Sequence, residues 1–217
     1  MDHNVSMPEK NFRDSFVVDT SVFLTQHIRK GNEPVENAVK RLTDLIEQAD
    51  REDIVCYMPP STYNELMEIL DGKIEQETED KLKTWIAKKS PTRYEVKVSG
   101  EIMHDFVEEM RKRVDRGLRL SEKALRELEE MEEEPEEEYY SKSDVAISDL
   151  RDDYKEALRK GIVDSREDLD LLLLAKEMDA TVVTEDNGVL NWAEDFGLRQ
   201  IRGREFPDIL EEYTDKS

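Results

Sequence analysis

Four aspartates stand where strands end or helices begin, and their spacing is the first chemical signal in the chain. Asp19 closes the apolar run Phe16-Val17-Val18, and Asp186 follows the run Thr181-Val182-Val183-Thr184. Asp164 and Asp168 flank the start of the helical pattern that leads into the second run. Being four residues apart, they share one side of a helix start. Open parallel sheets place working residues at the carboxyl ends of strands, so carboxylates at two strand ends converge on one crevice. Hard cations such as Mg²⁺ and Mn²⁺ take oxygen ligands and keep several waters. A cation of that kind activates water and stabilises the charge that develops on a phosphodiester under attack. Without one, carboxylates at short range repel each other.

Each residue also has a plainer reading. Asp19 before Thr20-Ser21, and Asp186 in Thr184-Glu185-Asp186-Asn187-Gly188, fit turns or caps. Asp164 suits the positive end of a helix dipole. Asp168, three residues after Ser165, fits a variant capping box. Against that, Asp168 lines up with Leu171, Leu172 and Ala175, and a carboxylate on an apolar helix face is costly unless it is paired or binds metal. Singly these signals are weak, and their joint placement at strand ends raises them. Glu65, in Tyr63-Asn64-Glu65-Leu66, and Asp170 are further candidate metal ligands.

Other chemistries find little support. His3, His27 and His104 lack metal-ligand spacing, there is no Gly-x-Ser-x-Gly elbow, and the eight glycines are scattered. Trp85 and Trp192 sit in helical patterns and read as packing residues.

The elements that must position the aspartates follow from hydrophobic periodicity. Phe16–Val18, 54–58, 93–98, Thr181–Thr184 and 198–201 read as strands. Helical spacing covers 35–49, 61–70, 75–89, 102–131, 143–160, 165–178, 189–196 and 206–213. Pro59-Pro60 closes a strand, and Ser61 and Ser165 offer N-caps. Strand–helix–strand–helix opens the chain and helix–strand–helix–strand closes it. This predicts an α/β fold: a parallel sheet flanked by helices, with a helical insertion between its halves. Residues 1–14 read as a flexible N-terminus, 15–74 and 161–217 as the sheet domain, and 75–160 as the insertion lobe. Within that lobe lies an acidic tract at 127–138, read as a solvated linker.

The net charge of −22 argues against a simple electrostatic nucleic-acid binder. It is uneven, since nine of the 54 acidic residues are glutamates between 127 and 138. Basic residues gather at Arg111, Lys112, Arg113, Arg116, Arg119 and Lys123, where the plain reading is pairing with nearby glutamates. A second set, Arg151, Lys155 and Arg159, recurs at helical spacing on one face. The insertion carries Leu82, Trp85, Ile86, Phe106, Met110 and other apolar residues, more than a thin lobe buries within one chain. That predicts homo-oligomerisation through the lobe. One cysteine, Cys56, rules out an internal disulfide, reads as a core residue, and suits a reducing cytoplasm. The polar N-terminus does not read as a signal peptide, and no apolar run approaches the roughly 20 residues of a membrane helix.

Phe16-Val17-Val18-Asp19-Thr20-Ser21-Val22-Phe23 resembles the opening of a PIN domain, and Val183-Thr184-Glu185-Asp186 resembles its late strand and terminal acidic residue. The stretch from Tyr154 through Gly161-Ile162-Val163-Asp164-Ser165-Arg166-Glu167-Asp168 to Ala175, with Glu185-Asp186-Asn187-Gly188, narrows the likeness. It is similar to the protein-only RNase P family of the Aquifex type, also known as RNA ligase partner proteins. The likeness runs over nearly the whole chain after residue 15. Carried over residue by residue, it implies catalytic aspartates at Asp19, Asp164, Asp168 and Asp186. It implies basic residues near the precursor tRNA 5′ end at Arg151, Lys155 and Arg159. It further implies Mg²⁺- or Mn²⁺-dependent removal of tRNA 5′ leaders, and assembly through the lobe into dimers and larger homo-oligomers. The acidic tract departs from a typical RNA-binding lobe. A PIN nuclease acting on another RNA, and a non-catalytic partner of an RNA-joining enzyme, remain open on the residues alone.

Overall fold

A computed structural model describes residues 15–29, 33–130, 141–158 and 165–214. Its frame is a five-stranded parallel sheet of order β3-β2-β1-β4-β5. The strands are β1 (Ser15–Val18), β2 (Val55–Met58), β3 (Ile86–Lys88), β4 (Thr181–Thr184) and β5 (Gln200–Arg202). β1 and β4 are buried along their whole length, as continuous apolar runs in a two-faced parallel sheet must be.

One face is covered by α1 (Thr20–Leu24), α2 (Val35–Arg51), α3 (Pro60–Leu70), α4 (Gln76–Trp85) and α9 (Phe206–Thr214). α2 buries Ala38, Val39, Leu42, Leu45, Ile46 and Ala49, one stripe of a helix with period 3.6. The other face is covered by α7 (Arg166–Met178) and α8 (Asn187–Asp195), which enclose Leu171, Leu172, Leu174 and Trp192 with Val17 and Val182. Cys56 is a free thiol in the core, and burial pushes its pKa up to about 12.

Two expectations change. Residues 93–98 form no strand: Tyr94 is fully exposed, so no buried face exists for alternation to supply. The strand at that sheet edge is β3, inside the stretch whose spacing reads as helix. It is three residues long and is defined by parallel pairing with β2, Cys56 to Ile86 and Met58 to Lys88, which local periodicity does not carry. The segment 76–88, placed in the insertion by its sequence, therefore joins the sheet domain, with Leu82 and Ile86 buried in its core and Trp85 packed against it.

The lobe is α5 (Gly100–Glu130) and α6 (Lys142–Leu158) packed on each other. α5 has 31 residues, which at the helical rise is about 46 Å. Its first turns anchor it: Ile102 is buried with α7 and α8, and the Phe106 ring lies edge-on to Trp192 at 6.3 Å. Farther along, Val107, Val114, Leu118 and Leu125 are exposed. Residues 131–138 of the acidic tract lie outside the described residues. No described helix is long and apolar enough to cross a membrane.

Candidate active site

The strand order reverses at β1: from there the chain builds β2 and β3 on one side and β4 and β5 on the other. The crevice outside the carboxyl ends of strands at such a switch point is where open α/β sheets bind ligands. Asp19 follows β1 there and takes the N-cap position of α1, although its side chain makes no cap bond. Its backbone N–H donates to Val183 O at 2.9 Å, which locks it beside β4.

Its carboxylate is held from one side. Ser21 Oγ donates to Asp19 Oδ2 at 2.5 Å, and Thr184 Oγ1 donates to the same oxygen at 2.8 Å. Thr184, fully buried at the end of β4, also accepts the Asp186 N–H at 3.0 Å. Ser21 Oγ accepts the Glu185 N–H at 3.0 Å. Two hydroxyls thus tie the end of β1 to the loop after β4. Asp186 caps α8: its Oδ1 accepts from Gly188 N at 2.6 Å and Val189 N at 3.1 Å. The turn reading and the site reading of Asp186 are therefore compatible, because the cap engages one oxygen. Among the described residues, Asp19 Oδ1 and Asp186 Oδ2 accept no bond.

Glu65 on α3 reaches the same end of the sheet, where Thr20 Oγ1 donates to its Oε2 at 3.3 Å and to Thr62 O at 3.2 Å. Asp168 is half-buried in the first turn of α7, and its backbone N–H donates to Ser165 Oγ at 2.9 Å, which completes the serine half of the expected capping box. Asp164 lies outside the described residues, as does Arg159. Asp170 is buried and meets Arg93, with Nε to Oδ1 at 2.8 Å and Nη2 to Oδ2 at 2.5 Å. Both its oxygens face a guanidinium.

The donors are all oxygen and suit a hard cation. Among the described residues no cluster of three or more potential ligands is close enough to hold a metal. Asp19 and Asp186 therefore fit as part of a ligand set, each with one oxygen anchored and one open.

A model of the PINc ribonuclease domain matches residues 15–215. The RNA-free ribonuclease P of Haloarcula marismortui is 51% identical over 95% of this chain and 94% of its own length. The chain belongs to the RNA-free ribonuclease P family. Relatives of the same name from Methanothermobacter thermautotrophicus and Methanococcus vannielii are 39% and 38% identical, over 93% and 94% of this chain and 96% and 97% of theirs. The protein is accordingly an endoribonuclease of the ribonuclease P type on a PIN domain, and the fold and family expected from the motifs are met.

Among the basic candidates, Arg151 is exposed on α6, while Lys155 pairs with Asp152 at 3.0 Å. In the first cluster, Arg111, Lys112, Arg116 and Lys123 are paired with Glu108, Glu109 and Asp153, as the plain reading holds. Sequence reasoning missed Ser21 and Thr184, whose hydroxyls hold the Asp19 carboxylate. For the two hydroxyl residues a signal was present, since each lies two residues from a site aspartate.

Proposed function

We propose that the chain removes the 5′ leader of precursor tRNA by hydrolysis, leaving a 5′-phosphate on the mature end. The observation that supports this best is that Asp19 and Asp186 meet at the switch point through one buried hydroxyl, in a chain 51% identical to a protein named RNA-free ribonuclease P.

Asp19, Asp164, Asp168 and Asp186 are the proposed ligands for Mg²⁺ or Mn²⁺, with Glu65 as an outer member. When bound, such a cation activates water and neutralises charge on the phosphodiester. Asp19 offers Oδ1 while Ser21 and Thr184 hold Oδ2, so its ligand geometry is set before substrate arrives. Asp186 offers Oδ2 while Oδ1 is spent on α8. Asp170, paired with Arg93, serves the reading better as a brace for α7 than as a ligand.

Arg151 and Lys155 on α6, together with Arg159, are the proposed contacts for the precursor. The exposed apolar stripe of α5, including Val107, Val114 and Leu118, supports homo-oligomerisation through the lobe. An assembly would let one subunit supply RNA contacts to another, which eases the charge of −22. A single buried free thiol suits a cytoplasmic protein.

The test is incubation of the purified chain with 5′-labelled precursor tRNA and Mg²⁺. Cleavage at the mature 5′ end, abolished in Asp19→Asn and Asp186→Asn variants that still fold, is expected. No cleavage there at any salt concentration overturns the reading.

A further inference from the structure

The acidic site has a cation on its rim that pairs with no carboxylate among the described residues. Arg202 ends β5, and its Cα pairs in register with Thr184 on β4. Neighbouring strands are about 4.8 Å apart, so Arg202 stands one strand from the hydroxyl that joins Asp19 and Asp186. Its Nη2 donates to Asn187 Oδ1 at 2.9 Å, and Asn187 directly follows Asp186. Among the described residues its partner is this neutral amide, which engages one of the five guanidinium donors.

Arg202 differs in this from Arg93, Lys89, Arg116 and Lys155, which pair with carboxylates. Its backbone is also fixed. A Cβ on Gly203 would lie 3.1 Å from Val22 Cγ2 and 3.3 Å from Glu185 Cγ, so the chain packs closely against α1 there. The next amide, Arg204 N–H, donates to Glu185 Oε1 at 2.6 Å. Glu185 in turn is bound by its own N–H to Ser21 Oγ. The loop carrying Arg202 is thus fastened to the same residues that hold Asp19.

We propose that Arg202, oriented by Asn187, binds a backbone phosphate of the RNA strand on the β5 side of the active site. This rests on the reading of the site as an RNA-cleaving centre. A strand entering between Asp19 and Asp186 brings phosphates toward a carboxylate cluster, where repulsion is strong. A planar guanidinium with free donors at that edge offers the geometry that phosphates take bidentately. Lysine at 202 would keep the charge and lose the fork.

The experiment compares the full chain, Arg202→Ala and Arg202→Lys, in Mg²⁺. It reads KM and kcat on precursor tRNA, affinity for precursor tRNA and for a generic single-stranded RNA oligonucleotide, and the salt dependence of each. Arg202→Ala is expected to weaken binding about tenfold and to reduce the slope of log affinity against log salt by about one, with its melting temperature near that of the parent. Arg202→Lys is expected to restore the slope while leaving KM raised. Asn187→Ala separates orientation from charge: it should keep the slope and raise KM. Unchanged affinity and slope in Arg202→Ala, on both RNAs, overturns the proposal, as does a loss explained wholly by unfolding. If the parent chain fails to cleave precursor tRNA, the proposed function falls. The oligonucleotide comparison still decides whether Arg202 holds a phosphate.

Discussion

Thr184 joins Asp19 to Asp186 with one hydroxyl: it donates to Asp19 Oδ2 at 2.8 Å and accepts the Asp186 N–H at 3.0 Å. The pairing of β1 with β4, Val18 beside Val183, brings the three residues into reach. Thr184→Val keeps the shape and removes both bonds. It is expected to cost about 1–2 kcal/mol of stability and to lower cleavage most at limiting Mg²⁺, with partial recovery as metal is raised. Thr184→Ser should restore both properties. Titrating cleavage rate against Mg²⁺ for the three proteins checks this, and identical metal dependence in Thr184→Val would show that the hydroxyl does not set the ligand.

Asp170 and Arg93 tie the segment after β3 to α7, and Lys89 and Glu177 add a second link at 3.0 Å. Asp170→Asn and Arg93→Ala should each lower the melting temperature and leave turnover per folded molecule near that of the parent. Thermal melts and single-turnover rates measured together test it. A well-folded Asp170→Asn without activity would return Asp170 to the metal site.

Where α5 meets α8, acidic groups crowd. Burial, then the charges of Asp105, Glu194 and Glu101, hold the Asp195 carboxyl above its usual range. A carboxyl with a raised folded-state pKa binds its proton more tightly in the folded chain than in the unfolded one. Its favourable contribution is therefore present at low pH and is lost as pH rises from the ordinary aspartate value, about 3.9, through the raised one. Asp195→Asn should raise the melting temperature at pH 7 and leave it unchanged near pH 3. Added salt should narrow the gap at pH 7, because screening weakens the three repulsions. Equal melting curves at both pH values would remove the charge argument.

The two lobe helices approach through Gly117, whose missing side chain admits the Tyr154 ring. A Cβ there would sit 2.6 Å from Tyr154 Oη. Gly117→Ala should displace the ring and loosen α6, seen as faster hydrogen exchange across 142–158. Pairing it with Tyr154→Ala should relieve the clash, so the double variant is expected to exchange more slowly than the sum of the single effects implies. Strictly additive effects would show that the ring does not pack there.

Much of this molecule was legible without coordinates. Phe16-Val17-Val18 and Thr181–Thr184 are apolar runs short enough to be strands and buried enough to be central, and each is followed within two residues by an aspartate. That pattern marked the two central strands and set both aspartates at their carboxyl ends, because side-chain burial and strand-end position are local properties of sequence. Ser165 and Asp168 announced the start of α7 for the same reason: a cap acts over three residues.

What the tertiary structure decided is everything that depends on pairing across the chain. β3 exists because Ile86-Ala87-Lys88 finds β2, not because of its own spacing. Leu82 and Ile86 are core residues of the sheet, and only folding separates them from the exposed apolar residues of α5. Asp170 looks like its neighbour Asp168 in sequence, yet it faces Arg93, 77 positions away. Thr184 reaches Asp19 over 165 positions. Arg202 gains its place on the rim from the register of β5 against β4. Periodicity reports which face of an element is buried; it carries no information on which distant polar group that face will meet, and those meetings set the geometry of the site.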